Sequence, residues 1–283
     1  MTKLKLTVFG KTDPGRVRKN NEDAFVVANL TTTAERVHAM PSSATLDVGD
    51  RGILVAVSDG MGGAEAGEVA SSLALQSLRA GLNNGSPAGA GVALQTSVEG
   101  ANKNVWDFAR ASGKEGMGAT LTAMLVHDRF AYIAEIGDSR AYLLRGDQFV
   151  QLTRDQSYVQ LLVDRGAITP EQAGTSDFKN IILQALGTHA KIAVAMNRIA
   201  VRQHDRFLLC SDGLTNMLPD AEIHAILKGT TLDAACPALV DAANARGGKD
   251  NITAVLLDVG GEGAPAATAG ERILVESIGQ ASP

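Results

Sequence analysis

The chain has 283 residues, 45% hydrophobic and 20% charged, with 26 Lys and Arg against 31 Asp and Glu for a formal net charge of −5. That length suits one large or two ordinary domains with a sizeable core, and the composition excludes extended disorder. The acid excess excludes an electrostatic coat for nucleic acid or anionic lipid, which needs a basic excess over the whole domain. Apolar runs of strand length, rich in β-branched residues and mostly bounded by Gly, Asp or Asn, fall at 4–9, 24–27, 53–57, 121–126, 131–136, 141–144, 192–201, 207–210 and 252–259. Helical periodicity falls at 66–82, 88–111, 158–165, 220–227 and 232–246. Thr230 or Thr231 is placed to cap the last helix, and Pro219 with Asp220 and Glu222 opens the one before it.

Strands arrive in consecutive groups and helices in pairs, an order that predicts an α+β layered protein with mainly antiparallel sheet. The runs between 121 and 144 read as a meander turning at 127–129 and 137–138. Residues 31–50, polar and rich in Ala, Ser and Thr, are expected to form an inserted loop between two strands. Residues 260–283 have linker composition and are expected to be a flexible tail with one short element at 272–276. Only Cys210 and Cys236 are present, outside any CxxC or Cys/His cluster, so neither a disulfide scaffold nor a zinc site of that type is expected. No apolar stretch has the length of a signal peptide or a membrane span, and a cytoplasmic, non-membrane protein is expected.

The acids that stand out lie at strand ends. The run at 53–57 delivers Ser58-Asp59-Gly60, the run at 207–210 delivers Ser211-Asp212-Gly213, and the run ending at Ile136 delivers Gly137-Asp138-Ser139; Asp250 opens the strand that follows it. One Asp-Gly after a strand is most simply a hairpin turn. Four strand-end carboxylates on one sheet edge instead repel one another unless cations neutralise them. Oxygen donors without Cys or clustered His suit Mg²⁺ or Mn²⁺ better than Zn²⁺, and the five His at 38, 127, 189, 204 and 224 are scattered. The Gly60 carbonyl, with no side chain in the way, is a further donor. Upstream, residues 16–23 mix Arg16, Arg18 and Lys19 with Glu22 and Asp23. This is either a solvated charge cluster or a guanidinium poised for phosphate, with the two acids anchoring metal-bound water or the Arg. Bridging carboxylates, two cations and a fixed positive charge are the parts that di-metal phosphoryl hydrolysis requires. Gly10-Lys11-Thr12 lacks the earlier glycine of a phosphate-binding loop, and neither GxSxG nor HExxH occurs.

In order along residues 8–259 these motifs are Arg18-Lys19-Asn20-Asn21-Glu22-Asp23, Ser58-Asp59-Gly60-Met61-Gly62-Gly63, Gly118-Ala119-Thr120-Leu121-Thr122, Ile136-Gly137-Asp138-Ser139-Arg140, Leu152-Thr153-Arg154-Asp155, Leu209-Cys210-Ser211-Asp212-Gly213-Leu214 and Asp250-Asn251-Ile252-Thr253. Together they resemble the metal-dependent serine/threonine phosphatases of the type 2C family in their bacterial form. The resemblance implies a four-layer αββα sandwich: two central, mainly antiparallel sheets flanked by helix pairs. It makes 1–259 a catalytic domain carrying a mobile flap at 156–187. It implies that Asp59 bridges two metals, that Gly60 adds its carbonyl, that Asp212 and Asp250 complete the second site, and that Asp138 with Asp212 holds a weaker third ion. Arg18 would bind the phosphoryl group; Glu22 and Asp23 would order metal waters beneath it, with Asn251 supporting the set.

The implied reaction is hydrolysis of phosphoserine or phosphothreonine in proteins, with hydroxide bridging two Mn²⁺ or Mg²⁺ ions attacking in line and no phosphoenzyme forming. Expected partners are phosphoproteins, including a Ser/Thr protein kinase, and a monomer is expected. The alternative is a non-catalytic pseudophosphatase acting as a binding module; hydrolysis of a small phosphate metabolite is a second enzymatic rival. Departures from the family occur at Met61, at Ala64, and at Gln156 after Thr153-Arg154-Asp155, and they leave the leaving-group acid unassigned, with water on the third metal preferred. Asp177-Phe178-Lys179 replaces the flap's usual His-Pro before a basic residue, so a different substrate selection is expected.

Overall fold

The structure, a computed structural model, describes residues 4–32, 34–37, 39–83, 89–268 and 270–278. In chain order the elements are β1 (Lys5–Asp13), β2 (Asp23–Asn29), β3 (Glu35–Val37), β4 (Ala44–Asp47), β5 (Ile53–Met61), α1 (Ala64–Asn83), α2 (Ala90–Ala111), β6 (Gly118–Ala119), β7 (Leu121–His127), β8 (Phe130–Ile136), β9 (Arg140–Arg145) and β10 (Gln148–Gln151). They continue with α3 (Tyr158–Asp164), α4 (Pro170–Thr175), β11 (Ala195–Ala200), β12 (Arg206–Cys210), α5 (Asp212–Thr215), α6 (Asp220–Leu227), α7 (Leu232–Ala245), β13 (Ile252–Gly260) and β14 (Glu276–Ser277). One sheet has the order β10-β9-β12-β13-β1-β4 and the other β14-β11-β8-β7-β5-β2-β3, with β6 beside the end of β5. All their pairings are antiparallel.

The strands read as continuous apolar runs because both faces of each sheet are covered. In β5, Ile53, Val55 and Val57 join the core between the sheets, while Leu54 and Ala56 face the α1/α2 layer. Successive side chains on a strand point to opposite faces, so this alternation requires a packed layer on either side. Helix α1 buries Ala70, Ala74, Leu75, Leu78 and Leu82, and α2 buries Leu94, Val98, Ala101, Val105 and Ala109, each set one face of a 3.6-residue helix. The alanines let the helices approach each other closely. Fully burying each larger aliphatic side chain contributes about 1.5–3 kcal/mol. Across the molecule α6 and α7 cover the first sheet with Ile223, Leu227, Leu232, Cys236, Leu239 and Val240. The result is the αββα sandwich. Thr231 occupies the N-cap position of α7, without a capping hydrogen bond from its side chain.

Two expectations need correction. Residues 31–50 are not a plain loop: β3 pairs with β2, and β4 lies antiparallel on β1 with Thr45 Oγ1 3.0 Å from Thr7 Oγ1. Both are three- or four-residue edge strands, too short and too polar for the pattern to show. Residues 260–278 are not a free tail. Glu271 pairs with Arg202 at 2.7 Å, Gln203 N donates to Pro265 O at 2.8 Å, Ile273 packs on the core, and β14 adds to the edge strand β11. The linker composition concealed that anchoring, because it rests on isolated side chains and backbone groups instead of an apolar run. His38, Ala88 and the last residues of the chain, named above, lie outside the described residues.

Candidate metal centre

The two sheets deliver their strand ends to one edge of the sandwich. β5 ends in Asp59-Gly60-Met61, and its antiparallel partner β2 starts at Asp23, directly opposite Asp59 in register. From the other sheet β12 runs into α5, whose first residue is Asp212, and β13 begins just after Asp250 and Asn251. The β8–β9 turn adds Asp138. Arg18, Glu22, Asp59, Gly60, Asp138, Asp212, Asp250 and Asn251 all line one cavity of about 280 Å³. Asp23 alone among the expected site residues does not line it; it is buried beneath.

Close backbone approach builds this edge. A Cβ on Gly60 would stand 2.0 Å from Gly67 O in the first turns of α1, and one on Gly213 would stand 1.9 Å from Asn251 O. Only glycine fits at either point. Asn251 then ties three segments together: its Oδ1 accepts from Glu22 N at 2.8 Å, and its Nδ2 donates to Pro14 O at 3.1 Å and Asn20 O at 2.8 Å. Asp23 is held by hydroxyls, with Ser211 Oγ donating to its Oδ2 at 2.6 Å and Thr253 Oγ1 to the same oxygen at 2.7 Å. Asp212 Oδ2 accepts from Asn216 Nδ2 at 2.8 Å. The remaining oxygens, Asp23 Oδ1 and Asp212 Oδ1, are buried without a partner.

The carboxylates repel one another. Burial pushes Asp138 up to about 8 and Asp212 up to about 6, in each case reinforced by neighbouring carboxylates. Burial likewise lifts Asp23 to about 7 despite its two hydroxyl donors. Desolvation at the cavity wall raises Asp59 well above the usual range, reinforced by Asp23, Asp212, Asp138 and Asp250. Arg18 Nη2 donates to Asp250 Oδ2 at 2.8 Å, so the guanidinium expected to meet phosphate here holds a carboxylate at the cavity rim. Glu22 is raised by burial, with Arg18 opposing the shift.

The donor set fits a hard divalent cation. It is all oxygen, Asp212 keeps a buried oxygen free, and the mutual repulsion of the carboxylates would be relieved by positive charge. The carboxylates line the cavity wall without closing on each other: among the described residues no three Asp, Glu, His or Cys side chains form a ready-made cluster.

Further contributors had no site role assigned from the sequence, although Thr120, Ser139, Gln156 and Lys179 stand in or beside its motifs. Thr120 Oγ1 accepts from Asp59 N at 2.9 Å and lies 2.8 Å from Ser139 Oγ, linking the Asp59 and Asp138 turns. Gln156, at one of the positions where the motif departs, accepts from Gly137 N at 3.0 Å through Oε1 and donates to Glu135 O at 3.2 Å through Nε2, bracing the turn that carries Asp138. Asn180 and Ile182, from the 156–187 segment, line the cavity. Lys179 faces Asp212 closely enough to offset part of its upward shift.

Comparison with known proteins agrees with this arrangement. The chain is 36% identical over 254 residues to the serine/threonine phosphatase stp of Listeria innocua, covering 88% of this chain and 94% of that one. It is 37% identical over 258 residues to the serine/threonine protein phosphatase PstP of Mycobacterium tuberculosis, covering 90% of this chain and 45% of PstP. Among solved structures, the catalytic domain of PstP in complex with two manganese ions superposes with a TM-score of 0.74 at 36% identity, covering 91% of this chain and 99% of that one. The family model for protein phosphatase 2C matches residues 43–256, and with it the strand ends that carry Asp59, Asp138, Asp212 and Asp250: the chain belongs to the protein phosphatase 2C family.

Proposed function

We infer that the protein is a metal-dependent serine/threonine protein phosphatase that uses Mn²⁺ or Mg²⁺. One observation carries this reading: carboxylates from four separate strand ends line a single cavity, and one of them, Asp212, keeps a buried oxygen unpartnered. Asp59, the Gly60 carbonyl, Asp212 and Asp250 would hold two ions, and Asp138 with Asp212 a third. When bound, such ions supply Lewis acidity toward a phosphoryl oxygen and bring the pKa of water toward neutrality.

The chain's own residues do the positioning. Arg18 stands half exposed at the rim with a fork that matches two phosphoryl oxygens, and it would exchange Asp250 for the substrate. Glu22, its carboxylate packed against Gly67 and its backbone fixed by Asn251, would orient water beneath the phosphate. Asp23 keeps the floor rigid through Ser211 and Thr253. A cavity of about 280 Å³ with the half-exposed Arg18 in its lining suits a phosphorylated side chain presented by a protein surface. The reaction reverses that of a Ser/Thr protein kinase, and such a kinase is the proposed source of the phosphoproteins, one of which is the kinase itself. A monomer acting in the cytoplasm is proposed. Among the described residues no helix is long and apolar enough to cross a membrane.

The test is phosphate release from a phosphothreonine peptide with and without Mn²⁺, comparing wild type with Asp212→Ala. Wild-type activity is expected to require metal and vanish with EDTA, and the variant to lose about a hundredfold or more. Inactive, well-folded wild type in both Mn²⁺ and Mg²⁺ would instead favour the non-catalytic binding module.

A further inference from the structure

The mouth of the cavity is electrically polarised. On one side the loop of residues 14–20 and the turn at 247–250 are locked into a single rim: Arg16 N donates to Gly248 O at 2.7 Å, and Asn251 Nδ2 reaches both Pro14 O and Asn20 O. This rim carries Arg16, Lys19 and Lys249 around the Arg18–Asp250 pair, and all three are exposed. None of the three has a carboxylate partner among the described residues. The nearby acids are engaged elsewhere. Asp13 Oδ1 accepts from Gly15 N at 2.9 Å and Asn244 Nδ2 at 3.1 Å, Asp250 accepts from Arg18, and Glu222 pairs with Arg246. Where Gly62 and Gly63 carry the cavity wall into α1, the helix opens with Glu65 and Glu68, both exposed. Arg16, Lys19 and Lys249 do not line the cavity themselves but flank Arg18 and Asp250, which do, and three such cations without a carboxylate partner among the described residues are not what a net charge of −5 leads one to expect.

We propose that Arg16, Lys19 and Lys249 form an anion-binding rim that selects phosphoprotein segments carrying a second anionic group, phosphoryl or carboxylate, close to the phosphoresidue seated in the cavity. The proposal rests on the protein phosphatase reading and specifies its substrate class. Residues two apart in an extended peptide lie on the same side, about 7 Å apart. That is the scale separating Arg18 from residues one or two positions away on its own loop. An anion there would meet the guanidinium fork of Arg16 and two ammonium groups, whereas the same anion on the α1 side would meet Glu65 and Glu68. The gain is a sum of exposed contacts, each worth a fewfold and together about tenfold, and salt would screen it.

The test compares kcat/KM in saturating Mn²⁺ for three phosphothreonine peptides of equal length: neutral flanks, Glu residues two positions to either side, and a second phosphothreonine two positions away. Wild type is expected to favour both anionic peptides about tenfold at low ionic strength, with the preference collapsing in 0.5 M NaCl. A gain for the doubly phosphorylated peptide alone assigns the rim to a phosphoryl group; a gain for both assigns it to charge. The triple variant Arg16→Gln, Lys19→Gln, Lys249→Gln should lose the preference yet hydrolyse p-nitrophenyl phosphate as wild type does. Lys19→Gln with Lys249→Gln, which removes no side-chain hydrogen bond among the described residues, serves if the triple variant fails to fold and should lose most of the preference. Equal rates on the three peptides in wild type, or an undiminished preference in the variants, overturns the proposal. Wild type inactive on p-nitrophenyl phosphate would sink the phosphatase reading itself.

Discussion

Asp212 and Asp23 each have one partnered oxygen and one buried without a partner, yet they do different things because of what lies beyond the free oxygen. Asp23 does not line the cavity, and two hydroxyls fix its other oxygen, so it acts as a brace between β2, β12 and β13. Asp212 does line it, aimed by a single amide from Asn216 one helical turn away. An outer partner of this kind typically sets a tenfold to hundredfold difference in metal affinity. Asn216→Ala is therefore expected to raise the Mn²⁺ concentration for half-maximal activity by about 10–100-fold while leaving the rate at saturating Mn²⁺ much less affected. A titration with unchanged midpoint would remove Asn216 from that role. Thr253→Val tests the brace: it deletes one donor to a buried carboxylate, and denaturant unfolding should register a loss of about 1–3 kcal/mol.

Elements matter here through where they stop. β5 passes its last carboxylate to the cavity only because α1 crosses over Gly60 at backbone contact, and Gly60→Ala would force the helix away from the strand. Overpacking of that kind costs about 1–3 kcal/mol. A fall in unfolding free energy accompanied by loss of Mn²⁺-dependent activity is the expected pair of results, and retention of both would mean the helix yields freely. Three of these strand ends were legible in the sequence because an apolar run is closed by Ser-Asp-Gly or Gly-Asp-Ser, and Asp250 because it opens one; the order of runs and helices gave the α+β layering with antiparallel sheet, while the αββα arrangement came from the family resemblance. The brace on Asp138 by Gln156 was not legible, since it joins residues 19 apart through a side chain that pattern alone leaves anonymous. Nor was the anchoring of residues 260–278, which depends on Glu271 meeting Arg202 and Arg145 across more than a hundred residues in the latter case. Deleting residues 261–283 removes those pairs, the packing of Ile273 and the added strand, so the melting temperature should drop by several degrees, roughly 2–3 kcal/mol. Because none of the described residues of that segment lines the cavity, peptide hydrolysis at low temperature should survive.

At the scale of the whole molecule, the two sheets act as a clamp that holds like charges together at one edge, and folding has to bear their repulsion. An unfolded chain keeps its Asp carboxyls near 4. In the folded chain Asp212 lies at about 6, Asp23 at about 7 and Asp138 at about 8, with Asp59 higher than usual as well. Between these limits the folded state binds more protons than the unfolded one, so stability contributed by these groups is complete below about pH 4 and is lost as pH rises through 6 to 8. In EDTA the protein should therefore melt at a lower temperature at pH 8.5 than at pH 5.5. Divalent cations reverse the sign of the local field and compete with protons for the same oxygens, so Mn²⁺ should raise the melting temperature far more at pH 8.5 than at pH 5.5. Asp138→Asn, which removes one of the repelling charges, should raise the metal-free melting temperature at pH 8.5 and shrink the stabilisation that Mn²⁺ gives. Equal melting temperatures at the two pH values in EDTA would mean that the sheets do not hold these carboxylates close enough to oppose ionisation, and the cation requirement would then need another physical origin.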